Sequence, residues 1–126
     1  MKIKVTTEKA PDPGANPFSQ AIEANGFVFT QGCVYLTMEG KLLEGTDEEM
    51  VHQTMKNLQN ILEAAGTTFD NVVKTTIYLI DMSMGPTVNK IYSSYLKQPY
   101  PAREMICVKE LPLGAKIEIS MIAAKN

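Results

Sequence analysis

Two ionisable side chains near the carboxyl-terminal end of the sequence have types and positions suited to chemistry. Arg103 follows Pro101 at the start of a predicted strand, where its planar guanidinium can offer parallel N–H donors to a carboxylate. Glu118 interrupts the apolar segment 117–122, and alternation places it on the strand face opposite Ile117. A symmetric hairpin between the two strands would set Arg103 opposite Glu118. From the spacing alone, an ordinary cross-strand ion pair or two exposed charges is the simpler explanation, because such pairs are common.

Histidine and cysteine offer weaker candidates. His52 lies in a predicted helix without a cysteine or carboxylate pair at metal-ligand spacing, so we expect a structural or solvent-facing residue. Cys33 and Cys107 lie in strand patterns without a cationic neighbour or helix start to activate the thiol, and we expect both to be buried apolar residues. GxGxxG, Walker and HExxH motifs are absent, so dinucleotide, nucleotide-phosphate and metalloprotease sites have no sequence support, and no metal site is expected.

Length and charge restrict the classes of function. With 126 residues, 44% of them hydrophobic, the sequence predicts one domain over residues 1–126. The net charge is -2 and the basic residues are scattered, so nucleic-acid binding is not expected. The apolar runs fall short of the ~20 residues of a membrane span, and the first residues lack the apolar core of a signal peptide. A cytoplasmic protein without membrane contact is expected.

Turn-forming residues organise the amino-terminal part of the sequence. Proline, glycine, asparagine and aspartate dominate residues 6–19, which predicts an ordered arm without helix. Asn25-Gly26 favours a type I′ turn, and therefore a hairpin between strands at 21–24 and 27–35. A second turn is predicted at 38–41.

Two helices are predicted from capping residues and apolar periodicity. Thr46 and Glu49 have the spacing of a capping box, and a stripe of apolar residues then runs towards Gly66, which can end the helix. Pro86 suits the first turn of a second helix, whose periodicity ends before Pro99. The apolar stripes are Val51, Met55, Leu58, Leu62 and Ala65 in the first helix, and Val88, Ile91, Tyr92, Tyr95 and Leu96 in the second.

Three further strands complete the predicted fold. Segments 72–80, 102–108 and 115–124 have strand composition and are bounded by turn-forming residues. The elements then follow the order strand, strand, helix, strand, helix, strand, strand, with room for one more strand at the amino terminus. This order predicts an α+β fold in which two helices cover one face of a sheet.

Several segments together resemble the RidA/YjgF family of reactive intermediate deaminases. The matching stretches are NPFSQAI at 16–22, TQG at 30–32, NLQNILEAAG at 57–66, VKTTIY at 73–78, PAREM at 101–105 and LPLGAKIEI at 111–119. The last two are the most specific, and the resemblance covers nearly the whole chain.

The resemblance implies a fold, an assembly and an activity. It implies a chorismate-mutase-like α+β subunit with a mixed six-stranded sheet, assembled as a homotrimer with a cleft at each subunit interface. It also implies hydrolysis of 2-imino acids such as 2-iminobutanoate and 2-iminopropanoate, which pyridoxal-phosphate enzymes release, to 2-oxo acids and ammonia. Such a hydrolase of C=N bonds binds a small imino or oxo acid and requires no metal or organic cofactor.

Four positions match functional residues of that family. By resemblance, Arg103 holds the substrate carboxylate, while Glu118 positions a water molecule and accepts its proton. Gly32 matches a glycine whose backbone lies beside the ligand, although a strand bulge explains it as well. Asn89 matches an asparagine of the cleft wall, where a purely structural role is also open.

Four further substrate-binding positions depart from the common residues of the family. Phe18 replaces a tyrosine and so lacks a hydroxyl. Gln31 and Cys33 stand where serine and glutamine are common, and Met105 replaces a frequent cysteine. These changes alter the predicted pocket, so the resemblance does not determine which imine is preferred. Imines with larger or more apolar side chains are one alternative.

Two other functions stay open. The same trimer clefts could bind a 2-oxo acid or another small carboxylate without catalysis, which the missing tyrosine hydroxyl favours. Translation inhibition, endoribonuclease activity and chaperone activity rank last, because the chain has no basic stripe and no histidine pair for RNA cleavage.

Overall fold

The computed structural model describes residues 1–125, which form a mixed six-stranded sheet with two α-helices. The strands are β1 (Ile3–Val5), β2 (Ala21–Ala24), β3 (Phe27–Thr30), β4 (Val72–Leu79), β5 (Ala102–Cys107) and β6 (Ile117–Ala124), and the helices are α1 (Asp47–Ala64) and α2 (Gly85–Tyr95). The strand order is β1-β2-β3-β6-β4-β5. Every described strand pair is antiparallel except β4 with β5. The predicted α+β fold is confirmed.

Local interactions account for the ends of both helices. The Glu49 N–H donates to Thr46 Oγ1 at 3.2 Å and the Thr46 N–H donates to Glu49 Oε1 at 2.8 Å, which confirms the capping box. Gly66 follows α1 with a φ of +84°, a conformation that glycine adopts without steric cost. Pro86 lies in the first turn of α2 as expected. Neither helix in residues 1–125 is long and apolar enough to cross a membrane.

The apolar stripes of both helices pack on the same face of the sheet. α1 contacts β3 and β6, whereas Tyr92 of α2 donates a hydrogen bond to Thr75 of β4 at 2.9 Å. Ile77, Ile117 and Ile119 are fully buried beneath the helices. Burial of such a side chain contributes about 1.5–3 kcal/mol to stability, so this layer is the main core of the fold.

The opposite face of the sheet has no covering layer among residues 1–125. Phe27 and Phe29 of β3 and Ile106 of β5 are exposed there, and Ile122 of β6 is half-buried. We call this surface the open face. Exposed apolar side chains on one face of a sheet are typical of a region that packs against another molecule.

Two expectations about the strands are wrong. β5 and β6 do not form a hairpin, because β4 lies between them and pairs with both. The segment from β4 through α2 to β5 is a strand-helix-strand crossover, which returns the chain in the same direction and makes β5 parallel to β4. β3 ends at Thr30 and not at Tyr35, and Cys33 pairs with Ile119 only through an isolated bridge.

Candidate active site

A cleft of about 350 Å³ surrounds the side chain of Glu118. Its walls come from the arm before β2, the segment after β3 and the turn before β6. The lining residues are Pro11, Asp12, Pro13, Asn16, Phe18, Gln31, Gly32, Cys33, Val34, Leu36, Asn57, Pro112, Leu113 and Glu118. We call this space the Glu118 cleft. It brings four of the predicted substrate-binding positions, Phe18, Gln31, Gly32 and Cys33, together with Glu118.

The carboxyl group of Glu118 is half-buried in this cleft. Burial raises its pKa above the ordinary value of 4.5, because partial removal from water disfavours the charged form. A carboxylate with a raised pKa accepts a proton more readily near neutral pH than an exposed one. The position and the pKa of Glu118 therefore suit a general base.

Gly32 leaves the space that the Glu118 carboxyl group occupies. A Cβ at position 32 would lie 2.7 Å from Glu118 Cδ and would overlap a carboxylate oxygen. The family resemblance implies that the Gly32 backbone lies beside a ligand, which stays a prediction; the group that lies against Gly32 in the structure is the Glu118 carboxyl group. Any larger residue at position 32 would displace the candidate base.

The thiol of Cys33 lies at the cleft, and its surroundings disfavour the thiolate form that a nucleophile requires. Cys33 is only 2% exposed, and burial raises the pKa of its thiol to about 12, with a smaller contribution from the charge of Glu118 and an opposing one from a hydrogen bond with Gln31. The predicted burial of Cys33 is confirmed. Cys107, in contrast, is exposed on β5, so its predicted burial is wrong. β5 is an edge strand, and neither of its faces is as well covered as the centre of the sheet.

Two buried amides hold the walls of the Glu118 cleft, and the sequence analysis assigned them no role. Gln20 is 2% exposed and its side chain forms four hydrogen bonds of 2.7–3.2 Å with the backbone of the arm, at Thr7, Ala10 and Pro11. Asn57 of α1 donates to the carbonyl oxygens of Val34 at 3.1 Å and Leu36 at 2.9 Å. The available sequence signal for Asn57 was its position as an amide among the mainly apolar residues of the buried face of α1.

A second cleft, of about 260 Å³, contains Arg103 at the edge of the sheet. Its lining residues are Asn89, Tyr92, Ser93, Tyr100, Pro101 and Arg103, and we call it the Arg103 cleft. The guanidinium carbon of Arg103 lies 5.2 Å from the ring centroid of Tyr92, within the range of a cation–π interaction. None of the salt bridges of residues 1–125 involves Arg103, so its N–H donors face an open cleft suited to an anionic ligand.

Arg103 and Glu118 lie on opposite faces of the sheet. Arg103 pairs with Thr75, which faces the helices, whereas Glu118 pairs with Tyr78 on the open face. Their Cα atoms lie about 14 Å apart, because the two residues are separated by two strand spacings across the sheet and by three residues along the strands. The expected cross-strand juxtaposition of Arg103 and Glu118 is therefore wrong, and the two groups cannot act on one small substrate within a single copy of the chain.

Two other residues considered from the sequence lie outside both clefts. Met105 is half-buried, and its sulfur would lie 3.7 Å from a Cβ at Gly85, so it packs near the start of α2. His52 is exposed and its Nδ1 lies 2.9 Å from the hydroxyl oxygen of Tyr95, which agrees with the expected structural or solvent-facing role. Residues 1–125 contain no cluster of three or more histidine, cysteine, aspartate or glutamate side chains that could hold a metal ion.

Comparison with known sequences decides the family. Residues 7–125 match the sequence profile of the family described as Endoribonuclease L-PSP. The chain belongs to this family. Relatives in it include "Reactive Intermediate Deaminase A, chloroplastic" of Arabidopsis thaliana, which is 48% identical over 97% of this chain and 65% of its own length. The "2-iminobutanoate/2-iminopropanoate deaminase" of Mus musculus is 42% identical over 97% of this chain and 90% of its own length. The resemblance to RidA proteins is thus confirmed.

A solved structure supports the described architecture. Escherichia coli TdcF with bound serine superposes with a TM-score of 0.90 at 25% identity, over 98% of this chain and 99% of the TdcF chain. The fold implied by the resemblance is confirmed by this likeness. The cytoplasmic location stays a prediction, since the Arabidopsis thaliana relative is named chloroplastic.

Proposed function

We propose that this protein is a 2-imino acid deaminase that hydrolyses 2-iminobutanoate, 2-iminopropanoate or related imines to 2-oxo acids and ammonia. The observation that carries the proposal is a carboxylate with a raised pKa, Glu118, set against Gly32 at a cleft wide enough for a small acid. Relatives with 42% and 48% identity that are named for this activity support it.

The proposed site is shared between copies of the chain. Arg103 lies at the sheet edge and Glu118 lies at the open face, so a neighbour whose β5 edge meets the open face would bring the two clefts together. Three copies arranged in a ring would form three such sites, as expected for a closed cyclic assembly. This arrangement agrees with the homotrimer that the family resemblance implies.

The chemistry follows from the two charged groups. The guanidinium of Arg103 binds the carboxylate of the imino acid through two N–H donors and so fixes the adjacent C=N carbon. Glu118 orients a water molecule towards that carbon and accepts its proton as the C–O bond forms. Glu118 returns this proton to the nitrogen, which gives a tetrahedral intermediate with one hydroxyl and one amino group on the same carbon. The hydroxyl proton then passes to the nitrogen as the C–N bond breaks, which leaves the 2-oxo acid and releases ammonia.

A trapping assay tests the proposal. Threonine dehydratase generates 2-iminobutanoate, and semicarbazide traps the imine that has not been hydrolysed. The wild-type protein should lower the trapped fraction at substoichiometric amounts, and Arg103→Ala should reduce this effect at least about a hundredfold, because the substrate loses its orientation. Lys97→Ala, which removes an exposed positive charge outside both clefts, is the matched control. A wild-type protein without effect, or an active Arg103→Ala variant, would contradict deamination at this site.

Binding without catalysis is the second candidate. The structure of TdcF with bound serine is that of a relative holding a small carboxylate, and Phe18 brings no hydroxyl group to the cleft of this chain. For such a binder, 2-oxobutanoate should bind to the wild-type protein and lose affinity in Arg103→Ala, while imine trapping stays unaffected in both.

A further inference from the structure

The Glu118 cleft is lined by both polar and apolar side chains. Gln31 and Glu118 supply polar side chains, whereas Phe18 and Leu113 present large apolar ones. Phe18 is 53% exposed and Leu113 is 69% exposed, so neither side chain is used to fill the core. Apolar surface of this size at the edge of a cleft is available to contact the apolar part of a ligand.

The backbone at Leu113 supports a role at the cleft. Leu113 has φ 63° and ψ 11°, in the left-handed region that a leucine rarely adopts. The turn is fixed by hydrogen bonds from the Gly114 N–H to the Leu111 carbonyl at 3.2 Å and from the Ala115 N–H to the Pro112 carbonyl at 3.1 Å. Glycine or asparagine would adopt this conformation more easily. A strained residue with an exposed apolar side chain at a cleft points to a function of that side chain.

We propose that Phe18 and Leu113 make the site selective for imino acids whose aliphatic side chains have three or more carbons. The inference rests on the proposed deaminase function and specifies its substrate class. Phe18 and Leu113 belong to the same copy of the chain as Glu118 and line the same cleft of about 350 Å³, so they contribute apolar surface to the site whichever copy supplies Arg103. Each added methylene of the substrate gains a favourable apolar contact there.

A homologous substrate series tests this selectivity. An L-amino-acid oxidase converts 2-aminobutanoate, norvaline and norleucine to imines that differ only by methylene groups, and semicarbazide trapping reports the hydrolysis of each. The kcat/KM of the wild-type protein should rise at least about fivefold from the four-carbon to the six-carbon imine. Leu113→Gln, which replaces the apolar side chain by a polar amide, should abolish most of this rise. Met38→Gln, at an exposed position outside the cleft, is the matched control.

The outcomes separate this inference from the proposed function. Equal kcat/KM along the series, or a rise that Leu113→Gln leaves intact, would overturn the selectivity. Binding of 2-oxobutanoate, 2-oxopentanoate and 2-oxohexanoate, measured by calorimetry, gives a readout without turnover. If no imine is hydrolysed but affinity rises with chain length, deamination is rejected and the apolar selection is retained. If affinity is also independent of length, both are rejected.

Discussion

The two charged groups of the candidate site differ in what surrounds them. The guanidinium of Arg103 lies over the ring of Tyr92, an arrangement that orients a cation without neutralising it. Glu118 has lost part of its hydration, and its pKa is raised for that reason. The guanidinium of Arg103 is therefore suited to bind an anion, and the carboxylate of Glu118 is suited to accept a proton.

The raised pKa of Glu118 predicts the acidic limb of the pH–rate profile. If Glu118 is the base, kcat/KM should fall as the pH drops through its pKa, and the midpoint of that fall should lie above the ordinary 4.5. At pH values well above that midpoint, Glu118→Gln should be slower by about a hundredfold or more, because a general base typically contributes this much. A midpoint at or below 4.5, or an active Glu118→Gln variant, would contradict the assignment.

The same shift predicts the effect of Glu118 on stability. The folded state binds the proton of Glu118 more tightly than the unfolded state does, so its contribution to stability decreases as the pH rises from about 4.5 through the raised pKa. Above that range Glu118→Gln should be more stable than the wild-type protein, and below it the advantage should disappear. Urea unfolding at both ends of the range measures the difference.

At the scale of elements, the arm over residues 6–19 is held by side chains and not by regular secondary structure. Gln20 binds its backbone at several points, and Asn60 of α1 donates a further hydrogen bond to the carbonyl of Lys9 at 2.9 Å. The arm carries Phe18 into the Glu118 cleft. The shape of the cleft therefore depends on a buried amide that contacts no part of the candidate chemistry.

Replacement of this amide should loosen the arm. Gln20→Leu leaves the Thr7 N–H and several carbonyl groups without their partner, and a loss of about 1–3 kcal/mol in the free energy of unfolding is expected. Amide hydrogen exchange at Thr7 should accelerate, and KM for the imine should rise more than kcat falls. Gln59→Leu on the outer side of α1 is the control. Unchanged exchange at Thr7, or an equal loss of stability in the control, would show that Gln20 does not hold the arm.

At the scale of the whole molecule, one chain presents two incomplete clefts and an uncovered apolar sheet face. The Glu118 cleft lacks a cation for the substrate carboxylate, and the Arg103 cleft lacks a base. The exposed Phe27 and Phe29 lie on the open face, where association with another copy would bury them. Assembly would complete the site and cover this face at the same time.

Mixed assemblies of two inactive variants test the shared site. Arg103→Ala and Glu118→Gln are each expected to be inactive, but a mixed trimer can pair the intact Glu118 of one subunit with the intact Arg103 of another. Unfolding and refolding the two together should recover roughly a quarter of the wild-type activity, the fraction of interfaces with both groups intact at random. The wild-type protein should sediment at about three times its 13.9 kDa mass. A monomer, or no recovery on mixing, would exclude a shared site.

The sequence by itself determined the features that depend on neighbours within a few residues. The Thr46–Glu49 capping box, the Asn25-Gly26 turn and the alternation that places Glu118 opposite the buried Ile117 all agree with the structure. Each results from hydrogen bonds, backbone conformation or side-chain direction along one short segment. Residue types and spacing singled out Arg103 and Glu118, the resemblance to a family implied their roles, and those roles stay a prediction.

Only the tertiary structure decided where distant segments lie relative to one another. The insertion of β4 between β5 and β6 separates Arg103 from Glu118, and the edge position of β5 exposes Cys107. The side-chain contacts of Gln20 with the arm and of Asn57 with the segment after β3 were also beyond sequence patterns. Strand order depends on how the α2 crossover packs across the whole sheet, and no interaction within a single segment records that packing.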